Sequence, residues 1–247
     1  MADLAFVIND LIAANRILAA EGVVDSFGHV SVRHPTRSDL FLISRTKSPE
    51  IVQPEDIMEM NFEGNEANPS GRTPYGERFI HAAIYAARPE VGAVVHSHSR
   101  TTIPFSVTNE RLRPITHVSV TIGFEVPVWD PQDHFGDTNM LVSSLELGQD
   151  LARSLASRPT ILMRGHGSTT VGTELRDAVY TAIYLEVNAQ LQLQAKLLNA
   201  GPIKFLTSGE IEKFAAHLNR HTPNVGYDKA WENWCLKCRM PYNPRST

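Results

Sequence analysis

Val91-Gly92-Ala93-Val94-Val95-His96-Ser97-His98 is a β-branched, apolar run that ends in two histidines two residues apart. The run predicts a buried strand. Alternate residues of a strand point the same way, so both imidazoles can face one metal ion from the strand's end. Taken alone, that spacing fits a polar pair at a strand end equally well. A second stretch supplies company: Thr160-Ile161-Leu162-Met163 predicts another short buried strand that runs into the turn Arg164-Gly165-His166-Gly167. With no side chain on either neighbour, the backbone there can turn sharply and aim the His166 ring into a cleft. Three histidines on two strand ends supply three neutral nitrogen ligands and leave a position for substrate or water, as a catalytic divalent ion requires.

Upstream of the first strand, Thr73 can cap a helix whose first position suits Pro74, with Ile80, Ile84 and Ala87 on its apolar face. Glu77 then stands in the first turns with His81 one turn on, and is the fourth candidate ligand. An acid stabilised by the helix dipole would occupy the same place. At the start of the chain, Leu4, Val7, Ile8, Leu11, Ile12 and Leu18 recur at helical spacing before Gly22. Short β-like runs follow at Val30-Ser31-Val32 and Leu40-Phe41-Leu42-Ile43, then a Gly/Asn/Pro/Ser-rich loop over residues 63–74. Strands are expected at 115–122 and 125–128, and a helix over 139–157 that Pro159 stops. A long helix over 175–200 is apolar around much of its circumference, which suggests burial between layers or at a subunit contact. Thr207 and Glu210 form a capping box for a shorter helix to about Arg220. Nothing resembling a long linker divides the chain. It reads as one α/β domain over residues 1–205, with a C-terminal helical extension over 206–247 expected to pack at a subunit interface.

The 247 residues carry 27 acidic and 23 basic side chains, a net charge of −4, which lacks the positive field that non-specific nucleic-acid binding needs. No run nears the roughly 18 apolar residues of a membrane span, and Met1-Ala2-Asp3-Leu4 lacks a basic signal-peptide start. The expected location is the cytoplasm, away from membranes. Cys235 and Cys238, the only cysteines, offer no disulfide framework. Trp234-Cys235-Leu236-Lys237-Cys238 matches a redox pair locally, but such a pair belongs between an early strand and the next helix, so these thiols read as structural. No Gly-x-Ser-x-Gly, P-loop, Gly-x-Gly-x-x-Gly or His-Glu-x-x-His occurs, which removes the serine hydrolase, P-loop, Rossmann and zincin readings. A cupin would want a Glu shortly after His-x-His, where Ser99-Arg100-Thr101-Thr102 has none.

Gly76-Glu77-Arg78-Phe79-Ile80-His81, the Val91 to Ser99 run and Arg164-Gly165-His166-Gly167 together resemble the class II aldolase/adducin family, over about residues 4–201. The resemblance implies a central, mainly antiparallel sheet between helical layers and a homotetramer with active sites at subunit interfaces. It also implies one divalent metal ion per chain, Zn²⁺ or Mn²⁺. His96, His98 and His166 match the metal-binding histidines, and Glu77 matches the residue that acts as acid/base and can approach the metal. Sugar-phosphate aldolases typically carry Gly-Asn where this chain has Gly28-His29, Ser-Gly near Ser44-Arg45-Thr46-Lys47, and Ser-Ser at Ser70-Gly71. Fuculose-phosphate-type aldolases place a proton-donating Tyr after the His matching His117, where Val118 stands. The chain is more similar to the branch that decarboxylates hydroxy-aromatic or hydroxypyridine carboxylates in aromatic-compound degradation.

Retro-aldol cleavage and decarboxylation of a β-keto acid both leave an enolate that a divalent cation can stabilise. On an ortho-hydroxy acid, Glu77 is the expected donor of the proton to the carboxyl-bearing carbon. Arg45, Lys47 and His29, which stand where the aldolases hold phosphate, are the expected holders of a second substrate carboxylate. His117 is a further substrate-binding candidate and His134 a weaker one. The first reading is a metal-dependent decarboxylase of a small carboxylate, the second a retro-aldolase on an unphosphorylated substrate, and the third a non-catalytic adducin-like module.

Overall fold

Asp3 caps the first helix, α1 (Leu4–Ala20), by accepting from the Ala5 N–H, and Gly22 takes a positive φ of 74° just beyond its end, as the periodicity predicts. The structure, a computed structural model, describes residues 3–218, 225–242 and 244. Seven strands form one sheet: β1 (His29–Arg33), β2 (Leu40–Ser44), β3 (Ile57–Asn61), β4 (Ala93–Ser97), β5 (Val128–Trp129), β6 (Thr160–Met163) and β7 (Gly167–Gly172). They lie in the order β3-β2-β1-β4-β7-β6-β5, antiparallel except for the β5–β6 pair. The remaining helices are α2 (Arg78–Ala87), the single turns α3 (Ile103–Ser106) and α4 (Gln132–Phe135), α5 (Leu145–Leu155), α6 (Leu175–Leu198), α7 (Ser208–Leu218) and α8 (Val225–Lys237).

Period-two alternation divides the core. Val30, Leu42, Ala93 and Val95 face the layer of α1, α6 and α8, while Phe41, Ile43, Val94 and Ile161 face α2 and α5. The result is a mixed, mostly antiparallel sheet between helical layers. In α8, Trp231 and Cys235 are fully buried against α1 and α6 of the same chain. Burial pushes the Cys235 thiol up to about 12, and both cysteines are free, so the pair is a packing feature. The capping box of α7 forms as expected, with Thr207 and Glu210 exchanging hydrogen bonds of 2.8 and 3.2 Å. The expected end of that helix at Arg220 lies outside the described residues.

Four expected elements differ from the structure, the first being the strand expected over 125–128, which is only the two-residue β5 because Pro127 has no N–H to give a ladder. The helix expected from Thr73 begins at Arg78, with Glu77 at its N-terminal cap. The Thr73 and Pro74 carbonyls are already committed to the N–H and hydroxyl of Thr46, both at 2.9 Å, so they cannot open a helix. The expected strand at 115–122 is a 3₁₀ helix over His117–Ile122. The backbone leading into it is held by side-chain amides of α6, where Asn188 pairs with Ile115 and Arg113 and Gln192 with Arg113 and Arg111, instead of by a neighbouring strand. The helix expected from 139 starts at Leu145 behind a Ser144 cap, and residues 140–142 run along the histidine cluster. Strand β7, whose Gly-Ser-Thr-Thr-Val-Gly sequence lacks an apolar run, went unpredicted; it pairs with both β4 and β6.

Candidate metal centre

Antiparallel pairing of β4 and β7 sets the histidines side by side. His96 occupies the penultimate position of β4, His98 follows the strand, and His166 sits in the β6–β7 turn. Gly165 takes φ 62° in that turn, and at Gly167 a Cβ would lie 1.9 Å from the Ser97 carbonyl, so only glycine lets the two backbones approach this closely. Nε2 of His98 lies 3.0 Å from Nε2 of His96 and 2.9 Å from Nε2 of His166. Glu77 Oε2 completes the group at 3.6, 3.9 and 3.4 Å from the Nε2 atoms of His96, His98 and His166. His96 is fully buried, whereas His98 keeps 27 % of its side-chain surface and opens the cluster to solvent.

The chemistry of this donor set calls for a cation. His96 Nδ1 donates to the Ser168 carbonyl at 3.1 Å and His166 Nδ1 to the Met140 carbonyl at 2.9 Å. Each of these two rings in its neutral form therefore turns an Nε2 lone pair inward, about 3 Å from His98 Nε2, an arrangement that suits a shared positive ion. Burial keeps His96 neutral, and burial with the neighbouring rings lowers His98 to about 4. Donors held at about 2.0–2.1 Å from a tetrahedral ion stand roughly 3.3 Å apart, within the 2.9–3.9 Å range of the separations here. The described residues thus fit a divalent metal, with three imidazoles and one carboxylate around it.

Glu77 makes no capping hydrogen bond to α2, which removes the helix-stabilising reading. Its Oε1 instead accepts the Val142 N–H at 2.9 Å while Oε2 faces the rings. Burial pushes the carboxyl up, but His166 and His96 pull it down more strongly, so it is held well below the usual carboxylate range. That direction favours the carboxylate form beside the rings.

The remaining predicted residues separate. His29 lies behind His96, buried, with Nδ1 2.6 Å from His81 Nε2. Arg45 and Lys47 do not stand as free cations. Both turn onto the buried Asp56, at 2.7 and 2.6 Å, so two positive charges share one negative. His117 is exposed, its ring edge-on to Phe214 of α7. His134 pairs with Asp150, which also holds the Trp129 indole and Arg153, a structural role. Sequence reasoning missed the Ser168 and Met140 carbonyls and the Val142 N–H, which have no side-chain signature. It also missed Glu186 on α6, which accepts from Ser99 and Thr101 just beyond His98.

The class II aldolase and adducin N-terminal domain model matches residues 9–193, three-quarters of the chain. The chain belongs to the class II aldolase and adducin family. It is 37 % identical over 210 residues to decarboxylase tropJ of Talaromyces stipitatus, covering 80 % of this chain and 79 % of that one. It is 28 % identical over 196 residues to 3,4-dihydroxyphthalate decarboxylase of Arthrobacter keyseri, covering 73 % and 75 %. Among solved structures, L-fuculose 1-phosphate aldolase from Glaciozyma antarctica superposes with a TM-score of 0.77 at 26 % identity, over 99 % of this chain and 96 % of that one. Decarboxylases and aldolases are both lyases, and this class II aldolase family member is an enzyme of that class, with decarboxylation favoured.

Proposed function

We propose that the chain is a metal-dependent decarboxylase of an ortho-hydroxy aromatic or hydroxypyridine carboxylate, holding one Zn²⁺ or Mn²⁺ at Glu77, His96, His98 and His166. The observation that carries this reading is the Glu77 carboxylate converging with the ring nitrogens of three histidines, in a chain whose relatives include decarboxylases. A divalent ion there supplies positive charge to stabilise enolate-type charge on the substrate. Glu77 takes the proton of the substrate's ring hydroxyl and returns it to the carboxyl-bearing carbon. The carbon–carbon bond then breaks, its electron pair restores the aromatic ring, and carbon dioxide leaves. The product's oxygen regains a proton from solvent. Val142 keeps Glu77 aimed throughout by holding Oε1.

The Asp56 triad favours this reading over sugar-phosphate cleavage. Arg45 and Lys47 stand where related aldolases hold phosphate, yet with Asp56 between them they offer one net positive charge, half of what a phosphate dianion carries. A second carboxylate, one charge, suits that balance better. The expected assembly is a homotetramer, and α7, which buries only Ile211 within the described residues, is the part of the C-terminal extension we assign to a subunit contact. Measuring carbon dioxide released from a panel of ortho-hydroxy aromatic and hydroxypyridine mono- and dicarboxylates tests the proposal. Release from at least one class, with no cleavage of fuculose or ribulose phosphate, is expected. Cleavage of a sugar phosphate at about 10 s⁻¹ with every hydroxy acid intact would favour the aldolase instead.

A further inference from the structure

Behind His96 runs an unbroken line of buried polar side chains that the mechanism above does not use. His29 stands opposite His96 across the β1–β4 pair, with ring centroids 5.0 Å apart. Its Nδ1 meets His81 Nε2 at 2.6 Å, His81 Nδ1 meets Ser31 Oγ at 2.6 Å, and Ser31 Oγ meets the Tyr85 hydroxyl at 2.8 Å. All four residues are buried, so no solvent supplies alternative partners.

Each neutral member of this line has one proton to pass on, so the order of donors is decided at one end. Among the described residues the Tyr85 hydroxyl meets Ser31 Oγ and the backbone N–H of Val94, and of the two only Ser31 can accept its proton. The Arg33 guanidinium lies 4.9 Å from the centre of the Tyr85 ring, and a cation there makes the phenol a stronger donor. If Tyr85 donates to Ser31, then Ser31 donates to His81 Nδ1, and His81 donates from Nε2 to His29 Nδ1. His29 is left with its own proton on Nε2. The reverse order strands the Tyr85 proton in the core with no acceptor, whereas this order leaves unpaired only the His29 N–H, at the end of the line beside the metal cluster where a bound oxygen can accept it.

We infer that Tyr85, Ser31 and His81 form a tautomer-setting chain that presents His29 beside the metal cluster as a neutral Nε2–H donor. That nitrogen has no hydrogen-bond partner among the described residues. The ligand group it suits is an acceptor oxygen, a carboxylate or phenolate of the substrate, and this identification rests on the decarboxylase reading. His81, Ser31 and Tyr85 are positioning residues: they fix which nitrogen of His29 carries the proton. His96 and His166 hold the opposite tautomer because their Nδ1 atoms face carbonyls. One small site therefore uses imidazoles in both senses, lone pairs toward the ion and an N–H toward the substrate.

Nitrogen NMR of the zinc-loaded protein, labelled with ¹⁵N-histidine, reads each ring's tautomer without substrate. His29 and His81 are expected as neutral Nε2–H rings, with His96 and His166 as Nδ1–H rings in the same spectrum. A His29 ring protonated on Nδ1, or on both nitrogens, would overturn the inference, and this measurement needs no variant. Ser31→Ala should let His29 populate both tautomers and lower kcat about five- to tenfold, with KM within about twofold. A Ser31→Ala protein whose His29 remains wholly Nε2–H would show that the chain does not set the tautomer. Because the spectrum is independent of turnover, a protein that releases no carbon dioxide yet shows the expected pattern would defeat the decarboxylase reading alone.

Discussion

Glu77 illustrates how much chemistry one residue's surroundings decide. Its type and its place near His81 mark it as a candidate ligand in the sequence, but only the loop before α2 reveals that it caps nothing and faces the histidines. Glu77→Gln keeps size and the Val142 hydrogen bond while removing ionisation. It should retain the fold and much of the metal, and lower the turnover of carbon dioxide release by roughly 10²–10⁴-fold. A near-normal rate in that variant would move the proton transfer to another group. The three histidines are legible because His-x-His at a strand end and Gly-His-Gly in a turn have a geometric meaning of their own. The sharing of Arg45 and Lys47 with Asp56 was not legible, because that carboxylate is nine residues beyond Lys47 and becomes their neighbour only when β2 and β3 pair.

Among the elements, the well-predicted ones carry apolar runs that end up buried, as α1, α6 and β4 do. Errors gather where backbone groups are used for something else. Residues 140–142 continue the apolar pattern of α5, yet they supply the Met140 carbonyl to His166 and the Val142 N–H to Glu77, which a helix would have consumed. The 3₁₀ segment at His117–Ile122 has strand-like composition but finds α6 beside it and, among the described residues, no strand. The β6–β7 turn allows a comparison of two glycines. Gly165→Ala meets only the left-handed backbone penalty, about 1–2 kcal/mol, and should leave metal content unchanged. Gly167→Ala drives a Cβ into the Ser97 carbonyl and should destabilise by about 3 kcal/mol or more while displacing His166. Equal thermal midpoints for the two variants would contradict this account of the turn.

At the scale of the whole molecule, the fold places a polar, histidine-rich line inside a three-layer core and holds it neutral. Burial, then the nearby His96, lowers His81 to about 3, against 6.5 for an ordinary imidazole. The unfolded chain therefore binds more protons than the native one between those values, so this contribution to stability is complete above about pH 6.5 and is lost as pH falls toward 3. The thermal midpoint of metal-free protein should already drop between pH 6.5 and 5, before the carboxylates titrate, and should drop less in His81→Gln. A flat or rising midpoint over that range would be inconsistent with neutral buried imidazoles. The α/β character was legible through apolar runs and helix periodicity and the layered architecture through the family resemblance, whereas the role of α8 was not, because nothing in its sequence says that Trp231 inserts between α1 and α6 of its own chain. The central claim, that the Glu77, His96, His98 and His166 cluster is a metal-dependent decarboxylation centre, is tested most directly by stripping the protein of metal and titrating Zn²⁺ or Mn²⁺ back. Carbon dioxide release from an ortho-hydroxy carboxylate is followed against bound metal, alongside His98→Ala. The account predicts activity rising linearly to a plateau at about one ion per chain, and little metal or activity in His98→Ala. Full activity in the stripped protein, or wild-type metal content in His98→Ala, would contradict it.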